Sequence, residues 1–255
     1  MVRLRPVAHD EQLTVVEHLE ELRARIVVSL LALAVAFGFT LWRNHEVLEI
    51  LNDPLPDGVK PVTLSPTEPF LTTLTLALYA AILLALPVIL YQVYAFVLPA
   101  FSPSEKRVAL PLLLLVPVLF VGGVAFCYFV VLPPAIDFLL GFNADEFTTE
   151  LRAREYYSFA MLTMISVGIL FQVPIGVLVV TRLGVVSVAQ LRRNRRYAIL
   201  GMAVLAALLP TVDPITMLIE MVPLVLLYEL SILLAAAFGR PAADPGDHVV
   251  SAEGS

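Results

Sequence analysis

Glu21 stands four residues before Arg25, and Glu105 directly precedes Lys106 and Arg107, each pair beside a long apolar run. A carboxylate at a membrane boundary accepts a guanidinium through two parallel hydrogen bonds, so two carboxylates on one side would suit a ligand bearing adjacent arginines. The spacing also permits a plainer reading. Glu21 and Arg25 make an ordinary i,i+4 helix ion pair, and Glu105 complements the dipole at a helix N-terminus. Gln172, Glu220 and Glu229 lie within apolar runs, where an amide needs a partner and an ionisable group is a candidate for function. Gln172 either bonds another helix of this chain or docks a polar group from another subunit, while Pro174 after it removes a donor and kinks the helix.

The remaining polar residues do not assemble into an enzyme. His9, His18, His45 and His248 are scattered without metal-ligand spacing, and neither a Gly-rich phosphate loop nor a nucleophile–base pair occurs. An enzyme, a metal, a cofactor and a nucleic-acid partner are therefore not expected. Cys127, the single cysteine, sits in an apolar run and reads as a buried inert thiol.

The elements that must carry these residues are membrane helices. Of 255 residues, 59% are hydrophobic and 15% charged, more apolar surface than one soluble core can hide. Apolar runs predict spans at about 26–41, 70–98, 108–140, 156–180, 197–209 and 215–238. The third, roughly 33 residues or about 50 Å, exceeds a bilayer core of about 30 Å and must tilt or bend at Pro111, Pro117, Pro133 and Pro134. The fifth, about 20 Å long, is too short to cross unaided. Glu46–Leu51 has the pattern of a short amphipathic interfacial helix. Val15, Leu19, Leu22 and Ile26 form an apolar stripe on a helix before the first span.

The expected organisation is a cytoplasmic amphipathic segment at 1–25, a six-helix transmembrane domain at 26–238 and a disordered cytoplasmic tail at 239–255. Twelve of the 16 Lys and Arg fall on one side, against Arg43, Lys60, Arg152 and Arg154 on the other, which places both termini inside. The long acidic segment ahead of the first span argues for a retained helix rather than a cleaved signal.

Several strings in this order resemble one family. His18–Arg25 before the first span, Pro87–Phe96 followed by Pro99-Ala100 and Glu105-Lys106-Arg107, Tyr128-Phe129, and Phe171-Gln172-Val173-Pro174 are similar to TatC-type signal-peptide receptor subunits of the twin-arginine protein translocase. The likeness runs from Glu17 to Ala237. It implies an all-α membrane protein, a cup-like bundle of tilted, Pro-kinked helices with short fifth and sixth spans, in the cytoplasmic (inner) membrane of a prokaryote. It implies binding of twin-arginine signal peptides of folded precursors by Glu21 and Glu105, with Arg23 and Phe96 on the same surface. It further implies docking of single-span TatA/TatB-type subunits near Gln172 and Pro174, structural turns at Pro54 and Asp213, a homo-oligomer within a hetero-oligomeric complex, and transport driven by the proton-motive force. Three places depart from the pattern: some relatives carry Glu where Gln172 stands, the turn around Asp213 matches only in part, with Pro210 and Pro214 placed differently, and Glu220 matches no family motif. The rival reading, a secondary transporter of a small solute, calls for an inverted repeat that the chain does not display.

Overall fold

A computed structural model of the chain describes residues 15–97, 114–146, 149–210 and 213–238. These form helices α1 (Val15–Trp42), α2 (Asn44–Asn52), α3 (Glu68–Val97) and α4 (Leu115–Phe126), then a π-helical turn (Cys127–Val131). After it come α5 (Leu132–Gly141), α6 (Ala153–Leu170), α7 (Val173–Arg182), α8 (Val188–Arg193), α9 (Arg195–Ala207) and α10 (Pro214–Phe238). Among the described residues, five helical stretches are long and apolar enough to cross a membrane: Val16–Trp42, Glu68–Val97, Leu115–Gly141, Ala153–Arg182 and Pro214–Ala237. The sixth apolar segment is α9, 13 residues and about 20 Å long.

α1 begins well before the expected span because no Pro and only Gly38 interrupt residues 15–42, so amphipathic stripe and span are one helix, continuous through residue 25. It packs along α3, whose small residues Ala77, Ala80, Ala81 and Ala85 are buried and admit close neighbours. Thr40 seals the pair by donating its hydroxyl to the Ala77 carbonyl at 2.7 Å. The stretch Leu115–Gly141 absorbs its prolines by a change of winding. Pro133 and Pro134 offer no N–H to the turn before them, and there the helix widens, with Leu132 N donating to Cys127 O.

The expected fourth span is two helices. Pro174 cannot donate to the turn preceding it, and the chain tightens at Phe171-Gln172, where Gln172 N bonds Ile169 O at 2.9 Å before α7 starts. Glycines allow α4 and α6 to meet here: a Cβ on Gly123 would lie 2.7 Å from Phe171 Cγ, and one on Gly168 would lie 2.7 Å from Phe120 Cε2.

The amphipathic helix expected at 46–51 is α2, and it is clamped into the core. Leu51 is buried, and three tyrosines on the facing helices reach its end. Tyr128 donates to the Ile50 carbonyl at 2.7 Å, Tyr156 to the Leu51 carbonyl, and Tyr157 to Asn52 Oδ1 at 3.0 Å. The first two hydroxyls satisfy carbonyls that a helix C-terminus leaves over, and the third holds the Asn52 side chain. Tyr156→Phe should therefore cost about 1–3 kcal/mol, because it strands a buried acceptor. The comparison is denaturant unfolding in mixed micelles, and a cost no larger than that of Tyr197→Phe, on the exposed side of α9, would count against the clamp.

Candidate binding site

The antiparallel packing of α1 on α3 brings the first turns of α1 beside the last turns of α3. Arg25 donates from Nε to Glu21 Oε1 at 3.1 Å and also from Nη2 to the same oxygen, while its Nη1 donates to Gln92 Oε1 at 3.0 Å. Next to this chain of bonds the His18 ring stacks on Phe96, centroids 4.2 Å apart and planes 15° from parallel. Glu21 Oε2 faces His18 Nδ1 at 3.9 Å, beyond hydrogen-bond range. Glu21 is thus held in one rotamer by Arg25, which Gln92 holds in turn, and only one of its oxygens is committed to the guanidinium. The group is half-buried, so its charge is less screened than on an open helix face.

The i,i+4 pair read from the sequence is made, and Glu21 lies near one end of the helix pair. The structure unites Glu21 with Phe96 and adds His18, Arg25 and Gln92. Arg23 sits on an exposed part of α1, outside these bonds. Glu105, with Pro99 and Ala100, lies outside the described residues. The spacings His18/Glu21/Arg25 and Gln92/Phe96 each mark one helix face in the sequence. Which two faces meet was not readable from them.

The other expected site residues are deeper or at the far end. Gln172 is buried in the α6–α7 break and donates from Nε2 to the Val116 carbonyl at 3.2 Å, while its Oε1 is buried without a partner. The interhelical bond within this chain is therefore made, and one acceptor stays open. Pro54 lies in the turn that stops α2, where Leu55 N bonds Asn52 O. Asp213 does more than turn the chain: it caps α10, its Oδ1 accepting from Thr216 N at 2.7 Å. Glu229, for which the sequence left open either a costly intramembrane charge or a place near water, is half-buried and accepts from Arg195 Nη2 at 2.8 Å, joining α9 to α10.

One ionic cluster lies at the end opposite Glu21. Glu68, buried at the start of α3, accepts from Arg152 Nε at 2.7 Å and from the Leu64 N–H at 2.9 Å. Two backbone bonds, Val62 N to Leu151 O and Ala153 N to Val62 O, form an isolated bridge that locks the same loops together at the start of α6. The Glu68 carboxylate, by this hydrogen bond, holds the Arg152 guanidinium above its ordinary basicity. Ser65-Pro66-Thr67-Glu68 carries the S-x-x-E spacing of a helix start, a signal available in the sequence, but its partner lies 84 residues away.

Comparison with known proteins places the chain among translocase components. The family model described as "Sec-independent protein translocase protein (TatC)" matches residues 17–223. A Sec-independent protein translocase protein TatC of Desulforapulum autotrophicum is 36% identical over 235 residues, covering 91% of this chain and 87% of that one. The protein of the same description from Aquifex aeolicus is 38% identical over 223 residues, 86% of this chain and 92% of that one. A solved crystal structure of a twin-arginine translocase receptor, TatC, superposes with a TM-score of 0.75 at 38% identity, covering 88% of this chain and all of that one.

Proposed function

The chain belongs to the TatC family of Sec-independent protein translocase proteins, and from that premise we propose that it is the signal-peptide receptor of a twin-arginine translocase. It is a multi-pass, all-α membrane protein that serves protein transport and is not an enzyme. The observation that carries the receptor reading is the positioned carboxylate of Glu21, braced by Arg25 and Gln92 beside the His18–Phe96 stack. A rigid carboxylate with one uncommitted oxygen accepts a second guanidinium with little ordering cost, and an aromatic edge nearby favours the apolar residues that follow in a signal peptide. Glu105 supplies the second carboxylate, Arg23 and Phe96 border the same surface, and the ligand is the paired arginines of a folded precursor's signal peptide.

The basic-residue count supports a cytoplasmic-membrane location in a prokaryote with both termini inside, so that Glu21 faces the compartment where precursors are made. In this reading residues 1–25 are the cytoplasmic segment, 26–238 the membrane domain of six spans, and 239–255 the cytoplasmic tail. The open Oε1 of Gln172, at a break made by Pro174, supports docking of a polar group from a single-span TatA/TatB-type subunit. Several copies work together within a hetero-oligomeric complex energised by the proton-motive force.

The test is copurification of the full chain in detergent with a twin-arginine peptide or its twin-lysine counterpart. The arginine peptide is expected to be retained and the lysine peptide lost, because Lys cannot present two parallel donors. Equal retention of both would overturn the assignment.

A further inference from the structure

Between Glu155 and Asp213 the chain has no acidic residue but carries Arg182, Arg192, Arg193, Arg195 and Arg196. The last four fall together at the junction of α8 and α9, and all four are exposed. Arg195 is committed to Glu229. Arg196 lies over the Tyr197 ring, 4.8 Å from its centroid, and donates to the Tyr197 hydroxyl at 3.1 Å. Arg192 and Arg193 have no acidic partner among the described residues.

The backbone under these guanidiniums is fastened. α8 opens on a capping box, in which Ser187 Oγ accepts from Gln190 N at 3.2 Å and Gln190 Oε1 accepts from Ser187 N at 2.8 Å. Tyr228 of α10 donates to the Leu191 carbonyl at 2.9 Å, and Val188 and Leu191 pack against the buried cluster of Met202, Leu224, Tyr228 and Ile232. Setting the orientation of a membrane protein requires only the number of basic residues on one side. Here they are also presented as a fixed array. Arg192 and Arg193 do lie in the last turn of α8, but a helix of six residues has little dipole for two exposed charges to complement.

The depth of the turn shows what it meets. Arg195 faces Glu229, about nine residues before α10 ends at Phe238, or roughly 13 Å of helix rise. The turn is therefore set back from the end of its neighbour and lies alongside apolar helix. Ile199 and Leu200, one turn further along α9, are exposed and apolar, a surface suited to acyl chains. Tyr197, 59% exposed, has the ring and hydroxyl favoured at the boundary between lipid and water.

We propose that the α8–α9 turn binds the phosphate headgroup of an anionic phospholipid, with Arg192 and Arg193 as its ligands and Arg196 and Tyr197 at its border. A guanidinium offers two parallel donors to two phosphate oxygens, and two guanidiniums without a nearby acid favour a headgroup of net negative charge over a zwitterionic one. A lipid already adjoins the turn, whereas an acidic polypeptide would have to enter between the turn and the bilayer. The site is separate from the His18–Phe96 stack and does not depend on the signal-peptide reading.

The experiment is native mass spectrometry of the full chain in detergent with phosphatidylglycerol or phosphatidylcholine added, counting the lipids retained. The parent chain is expected to hold phosphatidylglycerol at least about fivefold more tightly than phosphatidylcholine, and less tightly as salt rises. Replacing both ligands, Arg192→Gln with Arg193→Gln, should weaken phosphatidylglycerol binding by roughly tenfold to thirtyfold. Lys60→Gln with Arg154→Gln changes the net charge equally, at exposed positions on the loops around Glu68, and should leave binding within about twofold of the parent. Circular dichroism checks that both double variants keep the parent's helix content, and the comparison of the two lipids on the parent chain needs no variant. Equal retention of the two lipids by the parent overturns the proposal, as does a loss in the Lys60/Arg154 variant as large as that in the Arg192/Arg193 variant. Undiminished binding by the Arg192/Arg193 variant overturns it too. Displacement of the lipid by millimolar inorganic phosphate would identify a free anion as the ligand, and displacement by an equal concentration of polyglutamate an acidic polypeptide; either result also overturns it.

Discussion

Glu21→Gln should weaken binding of a twin-arginine peptide by about tenfold to a hundredfold, the worth of a hydrogen bond to a charged group, about 1.5–3 kcal/mol. The substitution keeps the shape of the side chain and leaves Arg25 an amide oxygen to bond, so the braced geometry of α1 against α3 survives while the charge does not. The loss is therefore electrostatic, and in the parent chain the affinity should fall as salt is added. Glu229→Gln is the control. Glu229 is another carboxylate paired with an arginine, but it bridges α9 and α10 away from the His18–Phe96 stack. Fluorescence anisotropy with a labelled peptide and the full chain in nanodiscs reads both. If Glu21→Gln binds within about twofold of the parent, or no worse than Glu229→Gln, the carboxylate is only a helix ion pair. Glu105→Gln should add to the loss, since a peptide with two guanidiniums needs two acceptors.

Gly123→Ala should destabilise the fold by about 1–3 kcal/mol or more, whereas Gly122→Ala beside it should be neutral or stabilising by a few tenths. The difference of one residue is decided by what faces the added methyl. At Gly123 it would meet Phe171 Cγ at 2.7 Å and Phe171 Cβ at 2.9 Å, too near the backbone for a rotamer change to relieve, while at Gly122 nothing lies within 4 Å. Because Phe171 sits at the break before Gln172, the strain would pass into the α6–α7 kink. Gly168→Ala should fall between the two: its methyl meets the far edge of the Phe120 ring at 2.7 Å, but that ring is itself buried and has little room to turn. Unfolding in mixed micelles ranks the three, and Gly123→Ala as stable as Gly122→Ala would disprove the close α4–α6 crossing.

Much of this architecture was legible because a bilayer makes each segment satisfy its own backbone. Helices must then coincide with apolar runs: the runs near 26–41 and 215–238 lie in α1 and α10, and the described part of the run near 70–98 lies in α3. Prolines are equally local in effect, so Pro174 announced the break in the fourth run, although the two-residue gap at Phe171-Gln172 depends on how the chain closes around it. The amphipathic helix read before residue 26 and the first span are one continuous α1, because the change from polar to apolar at residue 26 marks a change of surroundings that nothing in the backbone follows. The sequence left the surroundings of Glu229 open for a related reason. An acid in an apolar run looks buried until its helix is seen to turn that position toward Arg195.

Helix positions among the described residues and the candidate carboxylates were determined by the sequence alone, since composition and periodicity act over a few residues. Partnership was decided only by the tertiary structure. Arg25 and Gln92 are 67 residues apart, Glu68 and Arg152 84, Gln172 and the Val116 carbonyl 56, and antiparallel packing of apolar faces brings each pair together. A polar group in an apolar interior must find its partner wherever packing sets one, and no local pattern records where that is.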